Sequence, residues 1–514
     1  MVGREVHDGD QGAPERPDHA ALADHLHGLL RSRLEGRRVV LAMDILVGTV
    51  ALAEVLPGFG VEDVLVVAGS RGTGELDPAY ERDALVLGVS GRGIMGPIRA
   101  FESALDDPPP ELRSAIDRFD PDGDALVITT LFSTRQQLCG RPVFGGRDPR
   151  WAALEDKTVV DTLWDAAGVP RSPSAIVPAR QEELEVAAAR LDEGLGTVWV
   201  ADNREGWHGG AEYLRWVRSP HDAAPAAAAL TPVADRIRVM PFLDGRPCSI
   251  HGWVLGDEVI TSRPCETVAL RERDAPRLRY CGAAATAWRP ADEDAEAMRA
   301  VVRQVGRHLR DTVDYRGVFT VDGVLTADGF RPTELNPRFG AAIGTLGRGA
   351  DLPLYTLHLL SVDAPDLDLR PAELEATIQT SPPVARAFVQ LDGVDVEPRA
   401  ARVLRDGPGW RVEDVEDEPR DDAGDEAAAG GHTAEGDTAE GDTAEGDTAG
   451  GGTDVVAEVE LGPGPSGGFL RLALVDHPDG AAVAPVVAEL LPAVADHLDL
   501  DIPAMDAAPD LRPL

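Results

Sequence analysis

Val318-Phe319-Thr320-Val321-Asp322-Gly323-Val324-Leu325-Thr326, Ala327-Asp328-Gly329 and Phe330-Arg331-Pro332-Thr333-Glu334-Leu335-Asn336 form the stretch on which the reading of this chain turns. β-Branched and aromatic residues flank an Asp-Gly pair, the signature of an antiparallel hairpin. A three-residue loop with Gly329 in the left-handed conformation puts Thr326 opposite Phe330, and therefore Asp322 opposite Glu334. Directly opposed Cβ atoms lie about 4.5–5.5 Å apart, so the two carboxylates repel unless a hard cation lies between them or one takes up a proton. Asn336, two residues beyond Glu334, falls on the same face and adds an amide oxygen. Oxygen-only donors of this kind suit Mg²⁺ or Mn²⁺, with phosphate oxygens completing the octahedron. Arg338, behind Pro337, is placed to meet negative charge on a transferring phosphoryl group. A solvent-facing hairpin with acidic tips is the competing reading in so acidic a chain.

Outward from the hairpin, the next informative residue is Lys157. It is the only lysine; every other member of the 49 Lys+Arg positions is arginine. An ammonium is a compact point charge that a planar guanidinium does not mimic against a phosphate oxygen. Glu155-Asp156-Lys157-Thr158 is expected to open an amphipathic helix with Val159, Val160, Leu163, Trp164 and Ala167 on one face, stopped by Gly168 and Pro170.

A length of 514 residues with 43% hydrophobic composition allows roughly three domains with real cores. A formal net charge of -40 argues against a nucleic-acid partner, which needs clustered Lys/Arg. No run of eighteen apolar residues occurs, so no membrane association is expected. Cys139, Cys248, Cys265 and Cys281 form no C-x-x-C pair, and the first twenty residues are polar. A cytoplasmic enzyme with reduced thiols is the expectation.

The periodicities predict a multidomain protein of mixed α/β and α+β class. After a polar lead and an Ala/Leu/His helix within residues 1–36, apolar runs Arg38–Met43, Val64–Ala68, Ala84–Val89 and Ala125–Thr130 alternate with helical segments Pro97–Leu105 and Leu112–Phe119. That alternation reads as a Rossmann-like parallel layer over 37–150. From 151 to 365 the signals turn antiparallel (Arg236–Leu243, Ser249–Leu255, Glu258–Thr261), with one long helix, Glu293–Val313. Residues 366–412 and 455–514 are expected to be parts 1 and 2 of a C-terminal region, the second a small α/β piece with strand Phe469–Val475 and helix Ala482–Leu498. Between them, 413–454 is acidic and carries tandem Thr-Ala-Glu-Gly-Asp repeats, so a disordered linker is expected.

Thr333-Glu334-Leu335-Asn336-Pro337-Arg338-Phe339-Gly340 resembles the E-x-N-P-R signature of the ATP-grasp superfamily. Asp322 twelve residues earlier and Asp156-Lys157 ahead of Gly168-Val169-Pro170 fit the same order over Trp151 to Leu360. The resemblance implies a Rossmann-like pre-ATP-grasp domain followed by a two-subdomain ATP-grasp fold. It implies that Lys157 meets ATP phosphate, that Asp322, Glu334 and Asn336 hold two Mg²⁺ (or Mn²⁺) ions, and that Arg338 steadies the transferred group. Met240, Pro241, Phe242 and Leu243 resemble the hinge that meets adenine. Arg204, Gly206, Gly209 and Gly210 resemble the glycine-rich loop over the phosphates, where exposed N–H groups bind anions.

Two departures stand out. Val198-Trp199-Val200-Ala201 lacks the second lysine of most members, for which Arg204 is the expected substitute, and Ser249 stands near where a ribose-binding glutamate is expected. The implied activity is ADP-forming ligation, in which a small-molecule carboxylate is activated as acyl phosphate and joined to an amine; the oligomeric state stays open, a homodimer being one option. A bicarbonate-activating carboxylase and a non-catalytic ATP-binding protein are the alternatives.

Gly91-x-Gly93-x-x-Gly96 has the form of a dinucleotide fingerprint, but the next strand ends in Thr129-Thr130 rather than an acid. A plain glycine turn, or a loop serving the acceptor substrate, is expected instead. His208 and His251 read as structural histidines, and Glu266, Arg271, Arg273 and Arg279 as weak candidates for holding a carboxylate.

Overall fold

The computed structural model describes residues 19–72, 76–282, 285–394, 396–415, 455–464 and 467–512. The repeat segment from 416 to 454 and the first eighteen residues, for which a linker and a polar lead are expected, lie outside the described residues.

Arg38–Ile45 is buried along nearly its whole length, as a parallel strand covered on both faces must be. It pairs in parallel with Asp63–Ser70 on one side and Leu126–Thr129 on the other, and Leu85–Val86 extends the sheet beyond Asp63–Ser70. The expected Ala84–Val89 strand is therefore short. Beyond Val86 the chain still follows its neighbour, with Leu87 N donating to Ala68 O and Val89 N to Gly69 O. Helices Met95–Asp106 and Pro110–Phe119 cover this sheet with Phe101, Leu105, Leu112 and Ile116. The N-terminal helix His19–Leu34 buries Leu22, Leu26, Leu30 and Leu34, a four-residue spacing that keeps one face inward.

Two antiparallel sheets follow. One runs in the order Ala175–Pro178, Arg236–Pro241, Thr197–Ala201, Leu214–Val217, backed by helices Gln181–Leu191 and Pro220–Leu230. The other runs Glu258–Thr261, Arg246–Leu255, Gly317–Thr326, Gly329–Asn336, with Cys265–Glu266 attached to Arg246–Leu255. Helix Asp292–Val313 lies on this second sheet through Met298, Val301, Val302, Val305 and Leu309, all buried. Gly306 permits the close approach, since a Cβ there would stand 2.6 Å from Val259 and 3.1 Å from the Phe319 ring.

The two parts of the C-terminal region meet in one sheet. Gly467–Leu474 and Val455–Gly464 pair with Arg386–Asp392 and Arg399–Asp406, and Gly409–Asp414 completes a five-stranded antiparallel sheet. Parts 366–412 and 455–514 of the C-terminal region thus form one antiparallel sheet with its helix, and the sheet reaches Asp414, inside the segment expected to be linker. Alternating Val459, Leu461, Leu470 and Leu472 face Val487, Leu491 and Val494 of helix Val483–Leu498, which is the two-residue period of a half-covered antiparallel sheet. Glu266 fastens this unit to the middle of the chain. Its fully buried carboxylate accepts from Arg246 Nη1 at 2.9 Å and from the first N–H groups of helix Val483–Leu498, where a negative charge suits the dipole. The last strand, Met505–Ala507, then returns to pair with Ala269–Glu272. Glu266 therefore has a structural role, and Arg273 and Arg279 are taken up by Asp506 and Glu272.

Candidate functional site

The central hairpin arrives at its expected pairing by an unexpected route. Only Ala327 and Asp328 link the strands, because Thr326 pairs with Gly329 (φ +98°). A bulge then restores the register: Gly323 faces Pro332, Thr333 is the extra residue, and Asp322 faces Glu334. Proline offers no N–H to the ladder, so the irregularity falls where it disturbs the pairing least. Gly323 is required on the opposite strand, since a Cβ would approach Arg331 O to 2.4 Å and the Phe330 ring to 2.6 Å.

The hairpin presents its charges as a connected set. Lys157 Nζ donates to Glu334 Oε1 at 2.6 Å. Asp322 accepts from Ser249 Oγ on one oxygen and from Asn336 Nδ2, at 2.7 Å, on the other. Asn336 Oδ1 accepts from Arg338 Nη2 at 3.1 Å, and Arg338 Nε donates to buried Glu155 at 3.0 Å. The expected helix start is displaced. Regular α-helix begins at Val160, and Lys157 occupies the turn before it, where the Asp156 carboxylate caps Thr158 N at 2.8 Å and fixes the bend. Lys157 is 5% exposed, so the lone lysine is committed to the cleft rather than to the surface.

The two facing carboxylates divide their protonation. Burial, and then the Glu334 charge, push Asp322 up to about 6. Burial pulls Glu334 upward too, but Lys157, with Arg338 and His208, brings it below the ordinary glutamate range. The Glu334 side chain is 30% exposed to the cleft, so solvent screens its shift. The asymmetry follows from one lysine serving one acid. In donor chemistry the set fits a hard divalent ion: two carboxylates on adjacent strands and an amide two pairs further on, with no soft ligand among them. Among the described residues no group of three His, Cys, Asp or Glu side chains gathers that could hold an ion instead.

Next to these charges lies an apolar slot. The cleft measures about 350 Å³ and is lined by Val198, Val200, Leu214, Met240, Phe242 and Leu278 beside the hairpin residues. Its shape is set by stacking: Trp216 lies over Phe242 with ring centroids 4.3 Å apart, and Arg271, hydrogen-bonded to Asp244, covers the Phe242 ring. An apolar slot ending in convergent charges is suited to a planar base carrying phosphates. The expected hinge residues Met240, Pro241, Phe242 and Leu243 all line it, as do Ser249, Gly209 and Gly210.

Arg204 and Gly206 do not line it, which corrects the expected substitution for the second lysine. The Asp202 carboxylate accepts from the backbone N–H groups of Arg204, Asp235 and Arg236, and so pins the loop base against the following strand. Arg204 is thereby turned toward Pro232 O and Asp235, away from the cleft. Strand register supplies a different arginine. Arg238, 2% exposed, bonds Asp161 through Nε and Nη2 and Thr333 O through Nη1, joining the two sheets at the cleft wall.

The first domain closes one side. Ile94 and Met95 from the glycine turn, and Leu131 and Phe132 beyond Leu126–Thr129, line the cleft. The turn's glycines have a steric reason: a Cβ on Gly91 would come within 2.2 Å of Gly96 backbone. Trp207 of the glycine-rich loop stacks on Phe132 at 4.5 Å, Arg338 lies over the same Phe132 ring at 4.5 Å, and Arg99 grips Glu212 with two hydrogen bonds. Sequence reading did not find Arg238, Phe132, Thr267 or Ala508 in this wall. For Ala508 no local signal exists, because the strand pairing of Met505–Ala507 with Ala269–Glu272 brings it there. His208 Nε2 lies 3.1 Å from Ala201 O, and His251 Nδ1 lies 2.8 Å from Thr320 Oγ1, with burial pushing His251 down to about 3.

No family model and no curated protein matches the chain. Among solved structures it is similar to N5-carboxyaminoimidazole ribonucleotide synthetase from Thermus thermophilus, at 17% identity and TM-score 0.44, covering 90% of this chain and 99% of that one. It is also similar to the biotin carboxylase–ATP-analogue complex from Campylobacter jejuni, at 16% and TM-score 0.47, over 72% and 79% of the two chains. A third is phosphoribosylamine–glycine ligase from Thermotoga maritima, at 15% and TM-score 0.40, over 72% and 85%. All three identities are 17% or lower and all three TM-scores are below 0.5.

Proposed function

We propose that the chain is an ATP-dependent, ADP-forming ligase that activates a small-molecule carboxylate and joins it to an amine. The observation that carries this is the convergence of Lys157, Asp322, Glu334, Asn336 and Arg338 at the charged end of one apolar cleft. Adenine occupies the slot beside Met240 and Phe242, and the triphosphate runs toward the hairpin. Lys157, held against Glu334 in the free protein, turns its ammonium to phosphate oxygens. Asp322, Glu334 and the Asn336 amide oxygen hold Mg²⁺ or Mn²⁺, which neutralises phosphate charge when bound. Arg338 lies across the path between phosphate and acceptor, steadied by Glu155 on one side and Phe132 on the other.

The chemistry balances simply. A carboxylate oxygen forms a bond to the γ-phosphorus as the bond to the β,γ-bridging oxygen breaks, and ADP leaves with that electron pair. The amine nitrogen then bonds to the acyl carbon, phosphate departs, and the nitrogen loses a proton. Positioning and charge neutralisation are what the protein supplies.

Glu334→Ala tests this reading. Removing the acid that faces both Lys157 and Asp322 is expected to abolish ADP formation, by about 10³-fold or more, while circular dichroism and thermal unfolding stay near wild type. Normal turnover by this variant, or ATP binding without turnover by the wild type across pooled acids and amines, overturns it.

A further inference from the structure

Beside the main cleft lies a second cavity of about 30 Å³ that shares Leu131 and Arg338 with it. It sits at the C-terminal end of the parallel strand Leu126–Thr129, the end at which open parallel sheets bind ligands. Its polar lining includes Thr129, Thr130, Ser133, Arg147 and Arg338, together with Tyr355 and His358.

Two of these side chains are incompletely used. Arg147 is 8% exposed and Thr129 7% exposed. Arg147 Nη2 donates to Glu155 Oε1 at 2.6 Å, yet its Nε and Nη1, and Thr129 Oγ1, have no hydrogen-bond partner among the described residues. A buried polar group left without a partner costs about 1–3 kcal/mol, more when charged, and folds rarely keep several around one space. The neighbouring side chains are engaged elsewhere: Thr130 Oγ1 donates to Glu102 at 2.5 Å, Ser133 Oγ accepts from Arg135, Tyr355 Oη donates to Thr129 O and His358 Nδ1 accepts from Val318 N.

Charge points the same way. Arg147 and Arg338 both donate to the same oxygen of Glu155, so two guanidinium groups share one carboxylate, and Lys157 is already opposed by Glu334. The surplus is positive. Burial alone would raise the Glu155 carboxyl, but Arg147, then Arg338 and Lys157, bring it below the usual range, so it stays ionised and does not accept a further anion's proton. Two guanidinium N–H donors beside a hydroxyl match a planar oxyanion. A cavity of this size holds roughly two water-sized spheres, which is the room taken by the paired oxygens of a carboxylate and less than a phosphate needs.

We propose, building on the ligase reading above, that this cavity is the subsite for the small planar oxyanion to be phosphorylated, a carboxylate or bicarbonate, bound by Arg147 and Thr129 and shared with Arg338. Arg147 gives up no proton in the step. It orients the anion so that one oxygen forms the bond to the γ-phosphorus while the β,γ-bridging bond breaks.

The test uses the full-length, nucleotide-free protein titrated with formate, bicarbonate or inorganic phosphate at constant ionic strength. Fluorescence of Trp151, which lines the cavity, and thermal unfolding report binding. Formate or bicarbonate is expected to saturate and phosphate to fail, and whichever of the two binds more tightly identifies the source of the carboxylate-type group. Thr129→Val, which removes a hydroxyl with no protein partner and keeps its shape, is expected to weaken binding about tenfold. Arg147→Lys, which keeps the charge opposite Glu155 and loses the fork, is expected to do the same or more.

No saturable response, binding by both variants as tight as by the wild type, or binding by phosphate alone overturns the subsite. If the anion binds as described but no acid supports ADP formation, the ligase reading fails and the anion site stands. If an acid supports ADP formation with the same KM in Thr129→Val, the subsite fails and the ligase reading stands.

Discussion

The hairpin that bears Asp322, Glu334 and Asn336 and the glycine-rich segment from Asp202 to Leu214 face the same cleft, but they hold their residues by different means. In the hairpin, backbone pairing fixes which side chains oppose each other, and even the shorter turn is compensated by a bulge. In the glycine-rich segment no ladder exists between Ala201 and Leu214, and position is set by tertiary contacts: Asp202 at the base, Trp207 on Phe132, Glu212 on Arg99. Paired strands translate spacing in the chain into spacing in space. A loop translates it only through whatever it happens to meet.

That contrast sets the order of expected effects. Lys157→Arg keeps the charge beside the hairpin and is expected to lower ADP formation by about 10²–10³-fold, measured at saturating ATP, with thermal stability unchanged. A variant active within a few-fold of wild type removes the point-charge argument. The hairpin also carries the pH dependence. Because Asp322 retains its proton up to about 6, divalent-dependent activity is expected to fall as pH drops through about 6, with excess metal moving the midpoint lower. In the metal-free protein the sign reverses for stability. Asp322, its folded value raised, contributes most below the ordinary carboxylate range and loses that contribution as pH rises through about 6, whereas Glu334, lowered, contributes above it and loses on acidification. Asp322→Asn is thus expected to stabilise the metal-free chain above pH 6, seen in thermal unfolding, while removing the metal response.

Smaller effects belong to the loop. Trp207→Ala removes the stack on Phe132, which also bears Arg338, and is expected to raise the KM for ATP about 3–10-fold, with less change in kcat. Arg204→Ala removes partly exposed ion pairs to Glu205 and Asp235 and hydrogen bonds to Pro232 O and Ala234 O, none of them in the cleft, and is expected to keep activity within about twofold. Equal losses in the two variants erase the distinction between residues that clasp the first domain and those that do not.

The same contrast explains what was legible in the sequence. The hairpin could be read from its alternation and its Asp-Gly turn, although the Asp322–Glu334 pairing itself also needs the bulge at Thr333, and the long helix Asp292–Val313 could be read because its apolar period of three and four is unbroken. The parallel strands could be read because burial on both faces leaves continuous apolar runs. Arg204 was placed in the cleft by its position before a glycine loop, but its direction depends on Asp202 and Asp235, partners separated from each other by a whole helix. The strand pairing that joins the two parts of the C-terminal region is not legible for a related reason. Arg399–Asp406 pairs with Val455–Gly464 across the intervening repeat segment, and no local pattern announces so distant a partner. Arg147 was passed over in an arginine-rich chain, where only its burial and its unshared N–H groups distinguish it.

The central claim is that the hairpin's oxygen donors bind divalent ions together with ATP. Electron paramagnetic resonance of Mn²⁺, titrated into the protein with and without ATP, tests it most directly. Two ions per chain are expected to be immobilised by the wild type only when ATP is present, and neither to be held by Asp322→Asn combined with Glu334→Gln. Equal Mn²⁺ uptake by that double variant, or ATP binding that survives chelation of all divalent metal undiminished, contradicts the account.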